Sequence, residues 1–194
     1  MVCQRSFTMR RAVFLDRDGT INQEREYLHR VEDFCFIADV PWAISLLNRA
    51  GFLVVVVTNQ SGVARGYYAE KDVEALHRHI AAQLTAAGAR VDFWLYCPHH
   101  PDGRGAYAVS CSCRKPLPGM LLEAADRLDI DLASSFMIGD KLSDVEAGRA
   151  AGCSPILVRS GYGADEESRL PPGVAVYDDL LAAAISLAAM CDGV

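Results

Sequence analysis

The chain is expected to fold as an α/β protein built on a Rossmann-like, doubly wound, mainly parallel sheet. Three observations predict this. Short apolar runs alternate with amphipathic segments along most of the 194 residues. Glycines follow several of the amphipathic segments, where a helix stops most easily. Acidic and hydroxyl residues come directly after the apolar runs, at the strand ends where open parallel sheets place their ligand crevice.

The first run, residues 12–15 (Ala-Val-Phe-Leu), is too apolar for a surface loop and reads as a buried strand. Further strands are expected at 53–58, 93–96, 136–139, 156–158 and 174–177. Helices are expected at 41–50, 70–87, 119–128, 143–151 and 179–189, with Gly51, Gly88 and Gly152 closing the first, second and fourth. Residues 98–116 break the rhythm. A loop of that length in a small domain is functional or is held together by something. Residues 161–163 (Gly-Tyr-Gly) read as a flexible loop, and no motif follows residue 158. There is no internal repeat and no low-complexity segment. The stretch between Gly19 and the first helix is too short for a large cap domain, so an open crevice is expected. One domain is placed at 9–194, with an insert at 97–116.

Composition narrows the function. Hydrophobic residues make up 51% of the chain, which excludes wholesale disorder. No apolar run approaches the roughly 20 residues a membrane helix needs. Residues 1–11 lack the apolar core of a secretory signal, and Met9 is an alternative start. A cytoplasmic protein is expected. The net charge of −6 argues against a nucleic-acid partner. A small anionic substrate needs only local cations, and Arg17, Arg65, Arg114, Lys115 and Lys141 lie in or beside the motifs. Seven cysteines without an export signal do not form a disulfide framework. Cys3, Cys35, Cys153 and Cys191 are scattered and read as ordinary thiols.

The chemistry sits at four strand ends. Asp16 and Asp18 flank Arg17 and precede a glycine turn. Packing alone does not call for two acids there, although an ordinary Asx turn would use the same residues. Thr58-Asn59-Gln60-Ser61 ends the second strand with hydroxyl, amide and backbone donors suited to phosphoryl oxygens, or with a helix cap at Thr58 or Ser61. Arg114-Lys115 supplies two cations ahead of a helix; the bland reading is a solvated basic pair. Asp140 follows the fourth strand and should face the same crevice as Asp16. Asp144 falls in the first turn of the next helix, where the dipole favours an acid anyway.

Taken in that order, the Asp/Asp, Thr, Lys and Asp/Asp set resembles the haloacid dehalogenase-like (HAD) phosphohydrolases over residues 12–158. The resemblance implies that Asp16 is a nucleophile forming an aspartyl-phosphate and that Asp18 is general acid, then base. It implies that Thr58 and Lys115 stabilise the transferring group. Mg²⁺ would be held by Asp16, the backbone carbonyl of Asp18, and Asp140.

Cys97 and His99, then Cys111 and Cys113, offer three thiols and an imidazole. That set suits a closed, structural Zn²⁺ site, with His100 outside it. The alternative is a reduced loop with chance thiols. Pinned, the loop would orient Arg114 and Lys115, which follow at once. Residues 97–101 and 111–116, with the long spacer between, resemble the heptose-bisphosphate phosphatases within the family. The related histidinol-phosphate phosphatases carry a shorter loop. By that resemblance Glu24, Arg25, Glu26 and Tyr27, together with Asn59, Gln60 and Ser61, touch the sugar, and Arg114 and Lys141 contact the substrate. A small phosphorylated sugar of nucleotide-activated heptose and surface-glycan synthesis is thus the expected partner, and a monomer the expected state. The alternatives are histidinol phosphate, a polynucleotide 3′-phosphate, which the acidic charge disfavours, and a catalytically dead phosphosugar-binding protein stabilised by zinc.

Overall fold

The computed structural model describes residues 9–191. Cys3, the start at Met1 and the last three residues of the expected domain lie outside the described residues. The strands are β1 (Ala12–Leu15), β2 (Leu53–Asn59), β3 (Phe93–Cys97), β4 (Phe136–Gly139), β5 (Ser154–Val158) and β6 (Ala175–Tyr177). They form one sheet, ordered β3-β2-β1-β4-β5-β6, and every pair is parallel.

The four residues of β1 are all fully buried, and their alternation builds two cores. Val13 and Leu15 meet an apolar layer containing Ile44, Leu47, Leu76, Ile80 and Leu187. Ala12 and Phe14 meet the opposite layer, with Met120, Leu121, Met137 and Ala147. The first layer draws on α1 (Val40–Arg49), α3 (Glu70–Ala86) and α7 (Leu180–Ala189). The second draws on α4 (Gly119–Leu128) and α5 (Leu142–Ala151). Each large aliphatic side chain removed from water here is worth about 1.5–3 kcal/mol.

The expected elements are all present, and their ends shift by at most two residues. Gly51, Gly88 and Gly152 stand in the left-handed region just past α1, α3 and α5. Two helices were not anticipated: α2 (Ser61–Arg65) and α6 (Gly163–Glu166). Each is too short to show a 3.6-residue periodicity in its sequence. The second also corrects the reading of 161–163 as a flexible loop, since Gly163 is buried and opens α6. Neither Thr58 nor Ser61 caps α2; Thr58 lies inside β2 and the cap position falls to Gln60.

Between β1 and α1 the chain makes only a 3-10 turn (Val31–Asp33) and single bridges, so no large cap covers the sheet. The strand order reverses about β1, with β2 on one side and β4 on the other. The crevice at their C-terminal ends is the ligand position of this topology. Among the described residues no helix is long and apolar enough to cross a membrane.

Candidate active site

The backbone N–H of Asp16 donates to the Ile138 carbonyl at 3.0 Å, which prolongs the β1–β4 ladder and delivers the Asp16 carboxylate to the crevice. The chain then turns at Gly19, whose φ of +84° favours glycine. Lys115 arrives from beyond the loop with its ammonium almost wholly buried. It lies 2.9 Å from Asp16 Oδ1 and 2.7 Å from Asp144 Oδ1, and it donates to the Val57 carbonyl at 2.8 Å. Burial works against the Lys115 charge, but Asp144 and Asp16 outweigh it and raise its pKa. Asp144, the acid whose role the sequence left open, is therefore a fully buried part of the floor. Its N-terminal helix position is also used: Asp144 Oδ2 accepts from the Lys141 N–H at 3.0 Å.

Carboxylate oxygens of Asp16, Asp140 and Asp144 lie within 4.8 Å of one another. Burial and the Asp16 charge push Asp140 up to about 8. One of its oxygens, Oδ1, is buried without a hydrogen-bond partner. Three close acids, one with an orphaned oxygen, form a donor set of the hard oxygen type that fits Mg²⁺. Backbone closes over them. A Cβ on Gly19 would fall 2.1 Å from Asp140 Oδ2, and one on Gly161 would fall 2.2 Å from the same atom. The Tyr162 N–H donates to Asp140 Oδ2 at 2.9 Å, and the Ser160 hydroxyl to the Gly19 carbonyl at 2.7 Å. The segment after β5, in which the sequence showed no motif, thus seals the acid cluster. The only signal for it was a glycine pair at a strand end.

Asp18 is held by different groups. Arg17 Nη2 reaches both of its oxygens, at 2.9 and 2.8 Å, and Asn22 Nδ2 and Gln60 Nε2 each donate at 3.0 Å. Burial alone would raise the Asp18 pKa, but Arg17 with these donors lowers it below the ordinary carboxylate range. Arg17 is fully buried and turned to Asp18, so it is not among the cations open to a substrate. Gln60 also donates to Thr58 Oγ1 at 3.0 Å and accepts from the Tyr68 hydroxyl at 2.7 Å. Asn59 makes a reciprocal pair with the backbone of Lys115, both bonds 3.0 Å. The amide side chains expected to touch sugar are thus engaged with the acid and the lysine.

A cleft of about 330 Å³ opens above this floor. Asp16, Asp18, Thr58, Asn59, Gln60, Ser61 and Lys115 line its base, and Glu24, Arg25, Glu26, Tyr27 and Lys141 its side. Lys141 pairs with Glu24 at 3.0 Å and sits over the Tyr162 ring at 4.6 Å. Tyr68, Ser143 and Tyr162 line the cleft too and had no sequence signal. Arg114 is the one expected substrate contact that does not line it; its Nη1 donates to the His99 carbonyl at 3.4 Å.

The loop carries a second cluster. Cys113 Sγ lies 3.0 Å from Cys97 Sγ and 3.3 Å from Cys111 Sγ, and Cys97 and Cys111 are 3.5 Å apart. His99 Nδ1 is 3.4 Å from Cys113 Sγ. Four ligands about 2.0–2.3 Å from a tetrahedral Zn²⁺ stand under 4 Å from each other, so this set fits the ion. His100 is turned away, toward Arg65 at 3.5 Å. At the far side of the loop, Glu70 accepts from the Tyr96 and Tyr107 hydroxyls at 2.7 and 2.6 Å.

A doubly wound sheet carrying an Asp-x-Asp turn, a strand-end threonine, a buried lysine and a second acid pair defines a HAD-type hydrolase. The HAD-hydrolase-like family model matches residues 112–183. The D-glycero-beta-D-manno-heptose-1,7-bisphosphate 7-phosphatase of Pasteurella multocida (strain Pm70) is 44% identical over 162 residues, covering 83% of this chain and 88% of that protein. Its counterpart from Escherichia coli (strain K12) is 48% identical over 152 residues, 77% and 80% of the two chains. The solved D,D-heptose 1,7-bisphosphate phosphatase of B. bronchiseptica, complexed with magnesium and phosphate, matches with a TM-score of 0.85 at 38% identity, covering 93% of this chain and 99% of that one. The chain belongs to the D-glycero-beta-D-manno-heptose-1,7-bisphosphate 7-phosphatase family.

Proposed function

We propose that the protein is a Mg²⁺-dependent phosphatase that removes the C7 phosphate of D-glycero-beta-D-manno-heptose 1,7-bisphosphate, on the route to nucleotide-activated heptose. The observation that carries this is the placement of Lys115 between Asp16 and Asp144 at the floor of the cleft. It fixes Asp16 in place, and it leaves a cation where phosphoryl charge would gather. The relatives' names supply the sugar, the anomer and the position of the phosphate.

In the first step an Asp16 oxygen bonds to phosphorus. The bond from phosphorus to the C7 oxygen breaks, and that oxygen takes a proton from Asp18. Free of ligand, Asp18 is ionised; an arriving phosphate raises its proton affinity by like-charge repulsion. In the second step Asp18 takes a proton from water, whose oxygen bonds to phosphorus and frees Asp16. Thr58 and the backbone N–H groups after β2 hold the phosphoryl oxygens. Mg²⁺ held by Asp16, the backbone carbonyl of Asp18, and Asp140 would offset the charge of nucleophile and phosphate together. The magnesium and phosphate in the B. bronchiseptica structure support that cofactor. Zn²⁺ on Cys97, His99, Cys111 and Cys113 is structural, pinning insert 97–116 of a single domain at 9–194.

Glu24 to Tyr27 and Lys141 contact the sugar from the side of the cleft, and Asn59, Gln60 and Arg114 act mainly by orienting Lys115, Asp18 and the zinc loop. The enzyme works as a cytoplasmic monomer without nucleic acid or membrane; its net charge of −6 supports the lack of a nucleic-acid partner. The test is Mg²⁺-dependent phosphate release from both anomers of heptose 1,7-bisphosphate, with histidinol phosphate at equal concentration. Preferred turnover of the β-bisphosphate, leaving a 1-phosphate by ³¹P NMR, is expected. Preference for histidinol phosphate would overturn the substrate assignment.

A further inference from the structure

Arg17 is fully buried, and its donors are assigned almost without remainder. Nε and Nη2 are spent on Asp18, with Nη2 also reaching the Leu28 carbonyl at 3.1 Å. Nη1 has one partner among the described residues, His77 Nε2 at 3.4 Å. Arginine only donates, so Nε2 accepts and the ring proton is on Nδ1. His77 comes from α3, far along the chain, and is 6% exposed. Its ring lies on Trp94 with centroids 4.7 Å apart and meets Tyr96 edge-on at 5.9 Å. Burial, reinforced by Arg17, pushes its pKa down to about 3, so it stays a neutral acceptor. A histidine in a purely apolar packing role would not need to face a guanidinium.

We propose that His77 is a positioning residue for proton transfer, fixing the plane of Arg17 and through it the carboxylate of Asp18. The fork of Arg17 matches the carboxylate only in one orientation, and a partner on the free Nη1 stops it from rotating off that plane. This rests on the assignment of Asp18 as general acid above.

The test compares two esters. A sugar phosphate releases an alkoxide and needs the proton; p-nitrophenyl phosphate releases a stable phenolate and does not. His77→Leu removes the acceptor, and His77→Gln places an amide oxygen near the Nε2 position. Should the leucine variant not fold, His77→Asn, whose oxygen is too short to reach Nη1, replaces it. With His77→Leu, kcat/KM for heptose 1,7-bisphosphate is expected to fall by about ten-fold, a part of the roughly hundred- to ten-thousand-fold that general acid catalysis supplies. The kcat/KM for p-nitrophenyl phosphate, which reports the first step and not the shared hydrolysis of the aspartyl-phosphate, should stay within about two-fold, and His77→Gln should restore the ratio of the two esters. An equal loss of kcat/KM on both esters in a folded variant, or no recovery with glutamine, would overturn the inference while leaving the phosphatase reading intact. A wild-type enzyme inactive on both esters would sink that reading, and this inference with it.

Discussion

Gly161→Ala isolates the role of the segment behind the acid cluster. The added Cβ would stand 2.2 Å from Asp140 Oδ2 and 2.6 Å from the Gly19 Cα. Carbon contacts are relaxed only at about 3.5–4.0 Å, so the overlap is about 1 Å or more on both sides. Rotating Asp140 relieves one contact but not the other, because Gly19 offers backbone. The loop or the turn must move, and the φ of +59° at position 161 adds about 1–2 kcal/mol of strain for alanine. A shift of about 1 Å in a reacting group lowers turnover by about a hundred-fold. The natural control is Gly51→Ala, which has the same backbone hand (φ +83°) but open space around the new methyl. Both variants would be unfolded in urea and assayed for phosphate release across a Mg²⁺ titration. Gly51→Ala should lose only the strain energy and keep its activity. Gly161→Ala should lose more stability, about a hundred-fold in kcat, and affinity for Mg²⁺. If the two variants lose the same stability and Gly161→Ala turns over normally, the claim that this segment shapes the acid cluster is refuted.

Asp16→Asn should abolish turnover while keeping the fold; appreciable residual phosphate release would remove Asp16 as nucleophile. Cys111→Ala should lose bound zinc, counted by metal analysis, and should lower both the melting temperature and kcat, since Arg114 and Lys115 follow the cluster directly; full stability and activity would show the loop holds itself. Neutral burial of His77 predicts an acid sensitivity. Its folded pKa of about 3 lies below the unfolded 6.5, so the unfolded chain binds the extra proton as the pH drops. The contribution is intact above pH 6.5 and erodes by up to about 1.4 kcal/mol per pH unit on the way down to about 3. Between pH 7 and 4 the urea midpoint of the wild type should fall more steeply than that of His77→Gln; parallel curves would contradict it.

The sheet was legible because its central strands are buried on both faces and read as unbroken apolar runs, as at residues 53–57. Helices with a clear stripe and a following glycine could be placed to within a residue or two. The two one-turn helices could not, since a single turn carries no period. At the site, residue type and strand-end position located Asp16, Asp18, Thr58 and Asp140, and Lys115 was located by the basic pair that follows the long loop. Sequence could not tell which polar groups face the cleft and which face one another. Arg17 looked like a cation for the substrate because it sits between two catalytic candidates; only its contacts with His77 of α3 and the Leu28 carbonyl show it turned inward. Asp144 had a sufficient explanation as a helix-dipole acid, and its ion pair with Lys115 crosses a sequence gap no local pattern spans. The closing role of residues 160–162 depends on Asp140 approaching bare backbone, which glycine alone allows and which composition does not reveal.

Asn59 and Gln60 spend their amides inside the protein, one on the Lys115 backbone and one on Asp18, Thr58 and Tyr68. They are therefore poor places to retune which sugar is accepted, because any change there also detunes the chemistry. The short stretch from Glu24 to Tyr27 carries no such obligation to the floor, apart from the pairing of Glu24 with Lys141. On the function proposed above, changes at residues 25–27 should alter substrate range while leaving the floor of the cleft in place. Randomising residues 25–27 would be the economical way to seek variants that accept other phosphorylated sugars at an undiminished rate.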